Sequence, residues 1–210
     1  MITSLRTVLR AAILALAAIA VAVTPALALS QQDKDDLVRV QTYLNGIKTL
    51  TGKFSQITSE GAFAQGTFSI KKPGRLRFEY SPPDHISIIA DGFRVAVTNT
   101  ELKTQQAIPI SETPLGLLLD DDLDLVNDVE VTSVERRPGQ LTITAKQTEG
   151  LAAGEVKMIF SDPGLELRHW ITTDAQGVQV TVAISDLRRD IDVPSSLFHI
   201  DDVQAPGSEY

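Results

Sequence analysis

The 210-residue chain contains no cysteine, and that absence removes two options. A lipid anchor at a processed N-terminus needs a cysteine directly after the cleavage site, so this chain is expected to be released in soluble form. No disulfide is available either, so the hydrophobic core must hold the fold by itself. A membrane-length apolar run is missing too. Residues 11–23, AAILALAAIAVAV, fall short of the ~20 residues that span a bilayer. Arg6 and Arg10 precede this run, Pro25 breaks it, and Ala26-Leu27-Ala28 has small residues at both ends. That layout reads as a secretory signal peptide over residues 1–28, leaving one domain over 29–210. Positive charge is scarce: 19 Lys and Arg against 27 Asp and Glu give a formal net charge of −8. Loss of Arg6 and Arg10 with the leader lowers it by two more. Nucleic acid and anionic membrane surfaces are poor partners for such a chain. An exported, soluble, disulfide-free protein suits a bacterial periplasm.

Reactive groupings are missing as well. His85, His169 and His199 are scattered and have no nearby ligand set, so neither a metal nor another cofactor is expected. The run Asp120–Asp124 has the look of a calcium loop, but Leu125 stands where a glycine belongs and Val131 where a glutamate belongs. Residues 46–54, GIKTLTGKF, miss a phosphate loop. They place five residues between the glycines and put Phe54 where a magnesium-binding hydroxyl is needed. There is no nucleophile elbow, and the chain is not expected to be an enzyme.

What is present is pattern. Leu37, Val40, Leu44 and Ile47 recur at helical spacing in residues 33–48, with Asp33, Asp35 and Asp36 in the first turn. After Gly52 the period becomes two. GKFSQIT, GTFSIK, RLRFEY, HISIIA and RVAVTN read as short strands. Asp91-Gly92 is a hairpin signal that, as a two-residue turn, sets Ala90 opposite Phe93, Ile88 opposite Val95 and Ile86 opposite Val97. At Pro73-Gly74 a two-residue loop would set Ile70 opposite Arg77 and Phe68 opposite Glu79, whereas a three-residue loop brings Phe68 and Ile70 to the side of Leu76 and Phe78. Residues 111–130 interrupt the strands with a short leucine-rich helix after Pro114 and a further helical turn at 122–127. Five more strands follow: EVTSVER, QLTITAK, EVKMIFS, LELRHWITT and VQVTVAIS. The expected fold is mainly β with short α insertions. A curled antiparallel sheet forms an incomplete β-barrel under a helical lid.

The inward set is then Phe54, Phe68, Ile70, Leu76, Phe78, Ile86, Ile88, Val95 and Val97, with Leu115 and Leu118 contributed by the lid. This is either a packed core or the lining of a hydrophobic cavity. Lys72 favours the cavity. It falls in the apolar phase at the rim, where an ammonium can reach lid carbonyls and water, whereas in a dry core it would be costly.

The segments GKFSQ (52–56), GTFSIKKPGRLRFEYSPPD (66–84), IADGFRVAVTN (89–99), IPISETPLGLLL (108–119) and DVPSSLFHI (192–200) together resemble the LolA family. These are periplasmic carriers of outer-membrane lipoproteins. The resemblance implies a hydrophobic cavity for the acyl chains of lipoprotein cargo, loading by an inner-membrane LolCDE-type ABC complex, and delivery to an outer-membrane LolB-type receptor. It also implies that a monomer does the shuttling. One sixteen-carbon chain left in water costs on the order of 10 kcal/mol, so an acylated protein needs such shelter. In this family an arginine usually precedes the proline at position 73 and latches the lid through its carbonyls. Here Lys72 holds that place and lacks the planar fork. A sensing module of the same fold is the main competing reading, and an enzyme acting on lipid is a weaker one.

Overall fold

The alternating pattern is realised as antiparallel strands joined by short turns. The computed structural model describes residues 29–201 apart from 114, 148–153 and 175, and does not describe the side chains of Leu115, Leu117 and Gln147. The expected leader, residues 1–28, lies outside the described residues. The helix α1 (Gln31–Asn45) precedes six strands: β1 (Thr49–Thr58), β2 (Phe63–Lys71), β3 (Arg75–Tyr80), β4 (Ile86–Asp91), β5 (Arg94–Asn99) and β6 (Thr104–Pro109). A 3-10 turn (Ile110–Glu112) and the five-residue helix α2 (Leu115–Leu119) come next. The remaining strands are β7 (Glu130–Arg137), β8 (Gln140–Gln147), β9 (Gly154–Ser161), β10 (Glu166–Asp174) and β11 (Gln179–Arg189). All eleven form one sheet in the order β6-β5-β4-β3-β2-β1-β11-β10-β9-β8-β7.

That sheet curls. Strands β3 and β10 stand four places apart, about 19 Å in a flat sheet at ~4.8 Å per strand. Yet the rings of Phe78 on β3 and Trp170 on β10 meet edge-on with centroids 6.4 Å apart. Phe54 joins them at 4.6 Å from Phe78, and Phe68 at 5.7 Å. The strands β6 and β7 are the two edges and do not pair. The barrel is therefore incomplete, and the chain crosses from one edge to the other through the segment that carries α2.

Helix α1 buries Leu37, Val40 and Leu44, as its periodicity predicts. It is moored to the β7–β11 half of the sheet. Arg136 donates to Asp36 at 2.6 Å and to Asp33 at 2.8 Å, while Arg39 bonds both Asp36 and Asp162. The Tyr43 ring meets Phe160 edge-on at 5.9 Å, and its hydroxyl oxygen accepts the Leu167 N–H at 3.1 Å. On the outer face, residues 190–201 run as a strap. It buries Ile200 against Ile89 and Ala96, two apolar residues that the alternation sends outward. Lys71 fastens the strap through the Val193 carbonyl at 2.8 Å.

Three features differ from the sequence reading. The β4–β5 turn is centred on Gly92-Phe93, so Ala90 pairs with Val95 and Ile88 with Val97. Asp91 causes the shift: its carboxylate accepts the N–H groups of Phe93 and Arg94 at 2.9 and 3.0 Å. The displacement is two residues, so the apolar face survives. Residues 122–127 form no helix, because Asp124 draws the Val126 and Asn127 N–H groups into a side-chain-capped turn. Strand β6 was not expected; its sequence TQQAIP lacks an apolar alternation because it is an edge. The three-residue β2–β3 loop is as expected, with Phe68 opposite Phe78 and Ile70 opposite Leu76.

Two glycines make room for the aromatic cluster. Phe54 faces Gly66 and Phe68 faces Gly52 across β1 and β2. A Cβ on Gly66 would strike the Glu79 carbonyl and come within 2.8 Å of the Phe54 ring. Gly66→Ala is therefore expected to lower stability by about 3 kcal/mol, read from guanidinium unfolding followed by Trp170 emission. An unchanged midpoint would show that the strands can part without cost.

Candidate ligand-binding hollow

The aromatic cluster does not fill the curl. A cavity of about 200 Å³ lies among Phe78, Ile88, Leu118, Val156, Trp170 and Val182, with Gln56, Tyr80 and Thr172 also on its wall. A second, smaller space of about 30 Å³ lies deeper, toward the C-terminal end of α1. Leu44 and Ile47 bound it, with Phe68, Ile70, Leu76 and Lys72 from the β2–β3 hairpin. Leu118 and Trp170 belong to both walls. One α2 side chain and the chain's single tryptophan thus stand between the two spaces.

Of the residues read from sequence, Phe78, Ile88 and Leu118 line the larger cavity, and Phe68, Ile70, Leu76, Lys72 and Leu118 line the smaller. Phe54 is buried and packs edge-on to Phe78 and Tyr80. Val95 is buried, Ile86 is half-buried and Val97 is 45 % exposed. These three line neither of the two cavities. The backbone of Leu115 is helical, but its side chain is not described.

The sequence reading took its set from β1–β5 and missed the opposite wall. Val156, Trp170, Val182 and Ile184 come from β9–β11, and Leu50 from β1. Trp170 was hidden by a bulge. Arg168 is an extra residue in the β10–β9 ladder, so Leu167 and Trp170, three positions apart, both face inward.

The cover is pinned at one end. Lys72 is only 8 % exposed, and its ammonium donates to the Leu44 carbonyl at 3.0 Å and the Asp120 carbonyl at 2.6 Å. It thereby links the end of α1 to the residue following α2. The Gly74 N–H donates to Leu119 O at 3.0 Å. Asn45 adds a reciprocal pair with Leu123: its amide donates to the Leu123 carbonyl at 3.0 Å and its oxygen accepts the Leu123 N–H at 3.1 Å. At the other end, the Ile110 N–H donates to Phe93 O at 3.0 Å. Burial pushes the Lys72 ammonium down from 10.5 to about 8, against the pull of Asp120 and Asp121.

The geometry defines a class of protein: an open antiparallel barrel with an apolar hollow under a separate helical cover. No helix among the described residues is long and apolar enough to cross a membrane. None of their His, Asp and Glu side chains gather in a group of three able to hold a metal. The family model for the outer membrane lipoprotein carrier protein LolA matches residues 45–201, and the chain belongs to that family. The outer-membrane lipoprotein carrier protein of Legionella pneumophila (strain Corby) is 28 % identical over 173 residues, covering 76 % of this chain and 82 % of that protein. Its counterpart in Pseudomonas fluorescens (strain Pf0-1) is 25 % identical over 188 residues, covering 80 % and 85 %. Among solved structures, a DUF1329 family protein from Desulfovibrio piger shares the fold at a TM-score of 0.50 and 10 % identity, over 81 % of this chain and 97 % of that one.

The depressed Lys72 value has a thermodynamic sign. Between about pH 8 and 10.5 the unfolded chain holds a proton on Lys72 that the folded chain has lost. Folding stability must therefore rise with pH across that window, by on the order of 3 kcal/mol from this one group. Guanidinium unfolding at pH 7 and pH 10 should show the rise in the wild type and its loss in Lys72→Met. Equal pH dependence in the two proteins would contradict the burial of the ammonium.

Proposed function

We propose that this protein is a periplasmic carrier that shelters the acyl chains of lipoproteins in the hollow as they pass from the inner to the outer membrane. The observation that carries the reading is an apolar cavity divided by Leu118 of α2. About 200 Å³ is less than the ~300–1,000 Å³ of a pocket for a drug-sized ligand, so loading requires the cover to lift. Because Leu118 walls both spaces, moving α2 outward merges them into one chamber that runs toward α1. Family membership points to the same cargo.

The cycle needs no chemistry in this chain. Acyl burial supplies affinity, and the work of extraction falls to an inner-membrane LolCDE-type ABC complex. An outer-membrane LolB-type receptor then takes the cargo downhill. The acidic net charge keeps the loaded carrier off anionic lipid surfaces. Lys72 fastens the empty cover, and its carbonyl bonds lack the bidentate geometry that an arginine would give.

Trp170 supplies the assay, being the only tryptophan and a wall of both spaces. A diacylated lipopeptide should shift its emission and displace a bound apolar dye, and depletion of the protein should leave outer-membrane lipoproteins in the inner membrane. Failure of the lipopeptide to bind would sink the carrier reading. Binding with normal sorting and an altered envelope-stress response would favour a sensing module instead. Lys72→Leu is expected to keep ligand binding while slowing hand-off to a receptor several-fold. Transfer at the wild-type rate in a reconstituted assay would reject the latch.

A further inference from the structure

The larger cavity is not uniformly apolar, and its polar groups are arranged unevenly. Thr172 turns its hydroxyl toward the Val180 carbonyl of its own sheet, at 3.5 Å. Gln56 and Tyr80 instead pair with each other. The Tyr80 hydroxyl donates to Gln56 Oε1 at 2.9 Å, and the Gln56 Nε2 amide has no partner among the described residues. In this arrangement the pair keeps the amide oxygen engaged and offers the N–H groups of Gln56 as spare donors on the cavity wall.

We infer that Gln56 and Tyr80 read an acyl carbonyl at the head of the bound hydrocarbon chains, so that the site selects ester- or amide-linked chains over plain alkyl ones. This rests on the carrier reading and specifies what it recognises. A donor set in an apolar wall loses its hydration when hydrocarbon arrives, and the loss is made good only by a ligand that brings an acceptor. A carbonyl is such an acceptor. A fatty-acid carboxylate fits less well, because none of the described residues on the cavity wall is cationic. Burial and the charge of Asp84 also push the Tyr80 hydroxyl up from its ordinary value, which marks the surroundings as unfavourable to anions.

The position of the pair agrees. Gln56 lies two residues before the end of β1 and Tyr80 is the last residue of β3. Both are therefore near the strand ends remote from the Lys72 turn, where α1 covers the barrel. A ligand whose carbonyl sits at Gln56 and Tyr80 can run its chains past Trp170 toward Leu44 and Ile47, into the smaller space. The head group then stays at the open end, as it must when it is covalently attached to a folded protein.

The test compares two synthetic lipopeptides of identical peptide and chain length, one diacyl with ester links and one dialkyl with ether links, by calorimetric titration of the intact protein. Wild type should bind the ester form about 5-fold more tightly, the worth of one neutral hydrogen bond. Gln56→Met should abolish that preference while leaving ether affinity unchanged or improved, and Tyr80→Phe should reduce it. Far-ultraviolet circular dichroism and Trp170 emission confirm that each variant is folded. Equal affinity for ester and ether in the wild type overturns the inference, as does a preference that persists in both variants. Failure of both lipopeptides to bind the wild type overturns the carrier reading itself, and this inference with it.

Discussion

An antiparallel sheet whose edges never meet cannot bury its own inner face. With β6 and β7 left apart, the apolar side chains of nine other strands need cover from outside the ladder. The chain provides it with two helices of unequal attachment. Helix α1 closes one end, held by Tyr43 packing and by ion pairs to Arg136 and Asp162. Helix α2 is five residues long and lies on the only link between the two edges. Everything distinctive about the interior follows: the aromatic cluster stops short of filling the curl, and the remaining space is apolar on most of its wall.

The charge at position 72 acquires its meaning from that arrangement. A buried ammonium is a liability in a packed core, and burial lowers its proton affinity here. At the junction of α1 and the end of α2 it reaches two backbone carbonyls, that of Leu44, which also accepts the Ile47 N–H at 3.2 Å, and that of Asp120. The lysine thus ties the C-terminal ends of two helices together. Its hold is moderate, since desolvation works against it. Moderate is what a cover must be if it is to be stable when empty and displaced when hydrocarbon enters.

Much of this was legible in the chain, and the gaps have physical reasons. The three-residue turn at Lys72-Pro73-Gly74 could be chosen because a two-residue loop would have put Arg77 opposite Ile70 and Glu79 opposite Phe68. The face of the β4–β5 hairpin was also correct, although the capping carboxylate of Asp91 moved its turn by one residue. Strand β6 was missed because an edge strand with little to bury carries no alternation. The β9–β11 wall of the hollow escaped for a different cause. Alternation identifies a strand but not its neighbours, and the pairing of β1 with β11 joins segments some 130 residues apart. The bulge at Arg168 then placed Trp170 in a phase that strict alternation assigns to His169.

The moorings of α1 and the fastening of α2 differ in how they meet the solvent. Arg39 and Arg136 are partly exposed, with side chains 43 % and 31 % accessible, so dissolved ions screen their attraction to Asp33, Asp36 and Asp162. The bonds of Lys72 end on neutral carbonyls within the protein and are largely shielded from that screening. Changing ionic strength therefore acts on the moorings of α1 more than on the fastening of α2. A device of this kind would keep the same opening threshold in dilute and in concentrated surroundings.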